Sequence, residues 1–235
     1  MEDRNITDAL INDFAIRCFR DQGDADYIAA RMAFRAALAM PSLWSSQQTI
    51  EKYLKCILLL NRIRGGNVGH DLNAALSLIT KSACVSLDLS PATTSFIEHI
   101  DAFGRFRYLE VSRIAYGGHV ISLDRAVWEL RRYCTISEGP SSLKLRNGSL
   151  PPKYRIEGGF LEQVIDDGEN AAHKPLLVNN AFLGKRRRRK VRARKWFCAE
   201  NAPLYLNPQI LDEILEYVHL PKGLIRAYRL HQKPD

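Results

Sequence analysis

The chain has 235 residues, of which 46% are hydrophobic, enough for a real core and consistent with one domain or a domain plus a substantial extension. Its longest apolar run, CILLL, is far short of the roughly 20 residues a membrane span needs, and the acidic start MEDRNITDAL is not a signal peptide, so a cytoplasmic protein is expected. A net charge of +8 favours anionic partners over cationic ones.

Up to Cys134 the pattern is helical. ITDALINDFAIRCFR sets Ile6, Leu10, Phe14 and Ile16 near one face, and DADYIAARMAFRAALAM is an alanine-rich helix predicted to stop at Pro41. LWSSQQTIEKYLKCILLL is a third helix, ending near RIRGGNVG. HDLNAALSLI follows, with Asp71 near its start. SPATTSFIEHIDAFGRFRYL opens on Ser90 as cap and Pro91 at the first helical position. SLDRAVWELRRYC opens at Ser122 and buries Leu123, Val127 and Leu130. β signals are nearly absent, so the fold class is all-α, a helical bundle over residues 1–136. Residues 137–152, SEGPSSLKLRNGSLPP, read as a linker. The remainder, 153–235, is a thinner, basic and irregular extension expected to pack on the bundle or on a partner. It holds a short helix from Gly159 and a clearer one from Asn207, with Pro208 in its first turn and Ile210, Ile214, Leu215 and Val218 on one side.

Five cysteines, at 18, 56, 84, 134 and 198, lack disulfide or metal spacing and are expected to be reduced thiols. His99, His173, His219 and His231 likewise show no metal-ligand spacing. No metal and no cofactor is expected.

The charge is local. Residues 1–135 hold 16 Lys and Arg against 15 Asp and Glu, whereas residues 136–235 hold 18 against 11. One run, KRRRRKVRARK, supplies Lys185, Arg186, Arg187, Arg188, Arg189, Lys190, Arg192, Arg194 and Lys195. Phosphates are the natural counter-ions of such a run, and arginine favours bidentate contacts to them. Phe182 before it, and Trp196 with Phe197 after it, can stack on unpaired bases or pack its ends onto the fold. A solvated loop or a localisation-type tract is the plainer alternative.

The third helix carries a polar stripe. Gln48, Glu51 and Lys55 share one row, with Lys52 beside them, next to apolar Ile50, Leu54, Ile57 and Leu58. The stripe is either a set of i,i+3 and i,i+4 pairs on a solvated face, at about 0.2–0.5 kcal/mol each, or the lining of a groove.

Four stretches resemble the HEPN family of small helical bundles. GDADYIAARMAF looks like that family's first long helix, and Gln48, Glu51, Lys52 and Lys55 match its Gln-x-x-Glu-Lys-x-x-Lys helix. GHDL at 69–72 matches its His-Asp-Leu, and FRYL at 106–109 its Arg-Tyr element. The resemblance covers about the first 135 residues. It implies an antiparallel bundle, often a homodimer, linked to RNA or nucleotide handling and to toxin–antitoxin or phage-defence systems. It also implies a ligand groove lined by Gln48, Glu51, Lys52, Lys55, His70 and Arg107. Nuclease members carry Arg-x4–6-His near the last helix, a metal-independent pair for attack of a ribose 2′-OH on phosphorus. Arg113 and His119 have that spacing, although Gly117-Gly118 is expected to break helix between them; Arg64 and His70 have it too. His70 is also readable as a helix-start residue making a local hydrogen bond.

The expectation is therefore a HEPN-like protein that binds RNA or nucleotide phosphates through residues 185–195. One alternative is an endoribonuclease using Arg113 and His119. Another is a scaffold whose basic segment docks an acidic protein such as an antitoxin.

Overall fold

The computed structural model describes residues 2–104, 117–135, 159–178, 180, 182–183, 207–220, 225–226 and 229. Among them the secondary structure is helical throughout and contains no strand. In order these are α1 (Glu2–Phe14), a π-helical segment (Ala15–Arg20), α2 (Asp21–Arg35), α3 (Ala39–Leu60), α4 (Leu72–Lys81), α5 (Pro91–Gly104), α6 (Gly117–Arg131), α7 (Phe160–Asp166), α8 (His173–Leu177), a 3₁₀ turn (Pro208–Ile210) and α9 (Leu211–Tyr217). None is long and apolar enough to cross a membrane. The proposed linker, 137–152, lies outside the described residues.

The first two helices read from the sequence are one continuous rod. The π segment joins them: the Asp21 N–H reaches back five residues to the Ile16 carbonyl. That spacing aligns residues i and i+5, and Phe14 and Phe19 meet edge-on with ring centres 5.7 Å apart. Sequence periodicity averages over a single wide turn, which is why two helices were expected here.

α2 ends at Arg35, six residues before the proline expected to stop it. Ala37 takes the left-handed conformation, φ 58°, and the Leu38 N–H bonds the Ala33 carbonyl at 2.9 Å. This is a Schellman end with alanine where glycine is usual. Pro41 then sits in the first turn of α3, where its missing N–H costs nothing. α3 closes the same way on Arg62, φ 54°, with Ile63 N–H on the Leu58 carbonyl at 2.8 Å. Arginine serves there because its guanidinium binds Asp8 Oδ1 at 2.9 Å and Asn12 Oδ1 at 3.0 Å, tying the end of α3 to α1.

α3 is the central element. Ile50, Leu54, Ile57 and Leu58, the face expected from the sequence, are wholly buried, and Tyr53 is buried with them. α4 is capped by Asp71, whose carboxylate accepts the Ala74 N–H at 2.8 Å. α5 is capped by Ser90 ahead of Pro91. Gly117 and Gly118 are already helical residues of α6, ahead of the expected start at Ser122, so the glycine pair does not break the helix there.

The segments after residue 158 share this core. Leu161, Val164, Ile165, Leu176, Leu183, Leu211, Ile214 and Val218 are buried in the same apolar cluster as the bundle. Two buried carboxylates hold them. Asp24 accepts Tyr53 Oη at 2.7 Å, Arg131 Nε at 2.7 Å, a second Arg131 nitrogen at 2.8 Å and the Leu161 N–H at 3.1 Å. Arg131 also forks onto Glu162, at 2.7 and 2.6 Å. Asp124 accepts Tyr27 Oη at 2.6 Å and is ion-paired to Arg31. Arg31 in turn donates to the Val178 carbonyl at 2.6 Å.

Removing one partner from such a buried pair strands the other. Asp24→Ala is expected to lower unfolding free energy by about 3–5 kcal/mol in urea titration. It is also expected to raise proteolytic cutting within 159–183, because Leu161, Tyr53 and Arg131 lose their shared acceptor. A loss under about 0.5 kcal/mol would show that Asp24 does not hold these elements together.

Candidate functional site

The polar stripe of α3 is resolved into two parts. Glu51 and Lys55 are buried and ion-paired at 2.6 Å. His70, in the loop that leads into α4, brings Nδ1 to within 2.9 and 3.0 Å of the two Glu51 oxygens. Gln48 Nε2 reaches the same carboxylate only at 3.5 Å. Lys52 points elsewhere and is ion-paired to Asp26 on α2. Both lysine amines are thus held by carboxylates of the fold.

The loop carrying His70 is set by its packing against α9. Gly65 and Gly66 press against α9, so that a side-chain carbon on either would lie 2.6 Å from a backbone oxygen, of Tyr217 and Leu215 respectively. The His70 ring stands edge-on to His219, ring centres 6.5 Å apart. His70 therefore has a local hydrogen-bonding role, linking α3, its own loop and the end of α9. Its side chain is 50% exposed.

His119 is a buried residue of α6. Ser46 donates its hydroxyl to the Ser42 carbonyl at 2.7 Å, so its lone pairs face His119 Nε2 at 3.1 Å and place the ring hydrogen on Nε2. Phe96 packs edge-on at 5.3 Å. Burial, with a smaller contribution from His99, lowers its pKa to about 4. A proton acceptor works best with a pKa near the operating pH, and this imidazole is a weak base fixed by packing. Arg113 and Arg107 lie outside the described residues, as do Trp196 and the run from 185 to 195.

What is described is the root of that run. Asn180 is buried and donates Nδ2 to Tyr27 Oη at 2.7 Å and to the Leu176 carbonyl at 3.1 Å. Its Oδ1 accepts the Phe182 and Leu183 N–H groups at 3.1 and 3.0 Å. Phe182 meets Trp128 of α6 with ring centres 6.5 Å apart. The sequence reading missed Trp128, Asn180 and the Arg31–Asp124 pair. A usable signal existed for the pair, since both charges fall among apolar positions of their helices.

Among the described residues no group of three His, Cys, Asp or Glu side chains is placed to hold a metal ion. Cys18, Cys56, Cys84 and Cys134 are free thiols, and burial pushes Cys18 up to about 12, where it is unreactive. No family model, no curated protein and no solved structure matches the chain.

The lowered pKa of His119 has a definite sign. The unfolded chain takes up a proton near pH 6.5 and the folded chain only near 4, so stability falls as pH drops through that window and is unaffected above it. Asp13, raised by burial to about 6 against the pull of Arg17, acts in the opposite direction between about 6 and 3.8. His119→Gln is therefore expected to lose less stability than the wild type between pH 6.5 and 4.5, measured as the shift in urea midpoint. Asp13→Asn should steepen the loss below about pH 6, because the opposing contribution of Asp13 is gone. Parallel pH slopes in wild type and His119→Gln would overturn the assignment.

Proposed function

We propose that this chain is a HEPN-like helical protein of the cytoplasm that binds RNA or nucleotide phosphates, with Lys185, Arg186, Arg187, Arg188, Arg189, Lys190, Arg192, Arg194 and Lys195 as its electrostatic contact. The observation that carries this reading is a mismatch of charge. Nine of the 34 Lys and Arg lie in eleven consecutive residues, and the rest of the chain holds 25 against 26 Asp and Glu. Six acids of the fold are held by its own cations: Asp24 and Glu162 by Arg131, Asp124 by Arg31, Glu51 by Lys55, Asp26 by Lys52 and Asp8 by Arg62. A surplus of this density draws an external polyanion, and a phosphate backbone is the polyanion that matches arginine's fork. The buried, weakly basic His119 gives the endoribonuclease reading no comparable support.

Replacing Arg186, Arg187, Arg188 and Arg189 with glutamine tests the reading. RNA affinity should fall. The slope of log affinity against log salt should flatten by up to about 3, at about 0.7–0.9 per phosphate contact. Fold stability should hold. Unchanged affinity and slope would shift the run to docking an acidic protein.

A homodimer is part of the same proposal. Exposed Met32, Leu38, Met40 and Trp44 cluster in sequence about the α2–α3 turn and supply apolar surface for it. Light scattering at micromolar concentration should give twice the 26.7 kDa chain mass. The single-chain mass at every concentration would remove the dimer.

A further inference from the structure

Trp128 is the one described tryptophan on α6, and it is 42% exposed. Its helix is not free to turn it inward. Val127 and Leu130 are buried against the core, and Asp124, one turn earlier, is fixed by Arg31 and Tyr27. The indole therefore stands outward on a rigid support. Phe182 lies beside it, with ring planes 35° apart. Phe182 is also rigidly seated, because its N–H and that of Leu183 share the Oδ1 of buried Asn180. Arg125 lies one helical turn before Trp128.

Two aromatic rings from distant parts of the chain thus stand together on fixed supports. The chain enters the nine-cation run two residues after Leu183. Aromatic faces beside a dense cationic tract are the two components of single-strand binding: bases stack on the rings while cations follow the phosphates. A duplex keeps its bases stacked on each other and offers no face to such a pair. Rings fixed before binding lose little freedom on contact.

We infer that Trp128 and Phe182 form a stacking platform for unpaired nucleobases, so that the partner of this protein is single-stranded nucleic acid. This rests on the phosphate-binding reading above and specifies its ligand class. The platform supplies discrimination between single strand and duplex, and the cationic run supplies affinity common to both.

The full-length chain is titrated against a labelled single-stranded RNA of about 12 nucleotides, within the usual span of such sites. The same strand annealed into a duplex is the second probe. Trp128→Ala should weaken single-strand binding about tenfold or more, with duplex binding and the salt slope unchanged. Trp128→Phe should restore most of the loss and Trp128→Leu should not, because leucine keeps apolar bulk without an aromatic face. Incorporation of fluorotryptophan gives a direct readout on the chain's three tryptophans, with the Trp128 resonance assigned by its loss in Trp128→Phe. That resonance should move on adding the single strand and stay still on adding inorganic phosphate. Wild-type single-strand affinity in Trp128→Ala, with a Trp128 resonance that ignores RNA, overturns the platform while a steep salt slope leaves the phosphate reading standing. Absence of salt-dependent RNA binding by the wild type overturns both.

Discussion

The carboxylate of Asp24 is the constraint on which the arrangement of elements depends. It has no water to turn to, and its donors come from α3, α6 and α7 at once. An ionised carboxylate in that position is tolerable only while all of these elements stay in place. The second carboxylate, Asp124, repeats the logic in reverse. α2 carries Asp24 and Arg31 seven residues apart, and α6 carries Asp124 and Arg131 at the same separation. The observed pairs are Asp24 with Arg131 and Arg31 with Asp124. Only an antiparallel pairing of the two helices gives this result. A parallel pairing would set aspartate against aspartate and arginine against arginine. A slip by one turn would break both pairs. Buried ion pairs add little net stability over apolar packing, but here they exclude the alternatives.

Much of the helical skeleton was legible because it rests on local chemistry. Ser90-Pro91, Asp71 and the apolar face of α3 each act through residues three or four positions away, and each was where the sequence put it. The misreadings share one cause: each depended on a long-range partner or on a backbone state with no sequence marker. Ala37 and Arg62 close helices in a conformation that glycine normally supplies, and only the tertiary fold makes that acceptable. Of the candidate site, the sequence showed which residues were polar and out of place on α3. It did not show that Glu51, Lys55 and His70 would satisfy one another, because His70 arrives through a loop whose path is fixed by α9.

That arrangement explains why a core-facing helix carries a carboxylate and an amine. Glu51 is buried beneath the loop, so it needs positive or donor partners from more than one direction. Lys55 comes from its own helix, one turn on, and His70 from the loop above it. The group works as a fastening for a loop with three glycines, alongside the apolar contacts that its Ile63 and Val68 make with the core. The same three residues placed on an open surface would contribute a few tenths of a kcal/mol. Under a loop, each becomes necessary because the others are there.

The two systems of internal pairing bear on where binding can occur. The buried acids Asp24, Asp124 and Glu51 are held by arginines and lysines of the fold, and the run at 185–195 brings nine further cations into the chain just past Leu183. The point of entry is itself tied to the clamp: Asn180 bonds Tyr27, Tyr27 bonds Asp124, and Asp124 is paired to Arg31. The pairs that fix α2 against α6 therefore also fix Phe182 and the side of α6 that bears Trp128. Stability and recognition use one set of contacts. A change at Arg31 or Asp124 acts on the fold first, but it also removes the support beneath both rings. Loss of binding in such a variant would accordingly say little about phosphate contacts, whereas loss confined to single strands in an otherwise stable Trp128 variant isolates the ring itself. The separation is possible because Trp128 contributes its exposed face, while its neighbours on α6 contribute the burial.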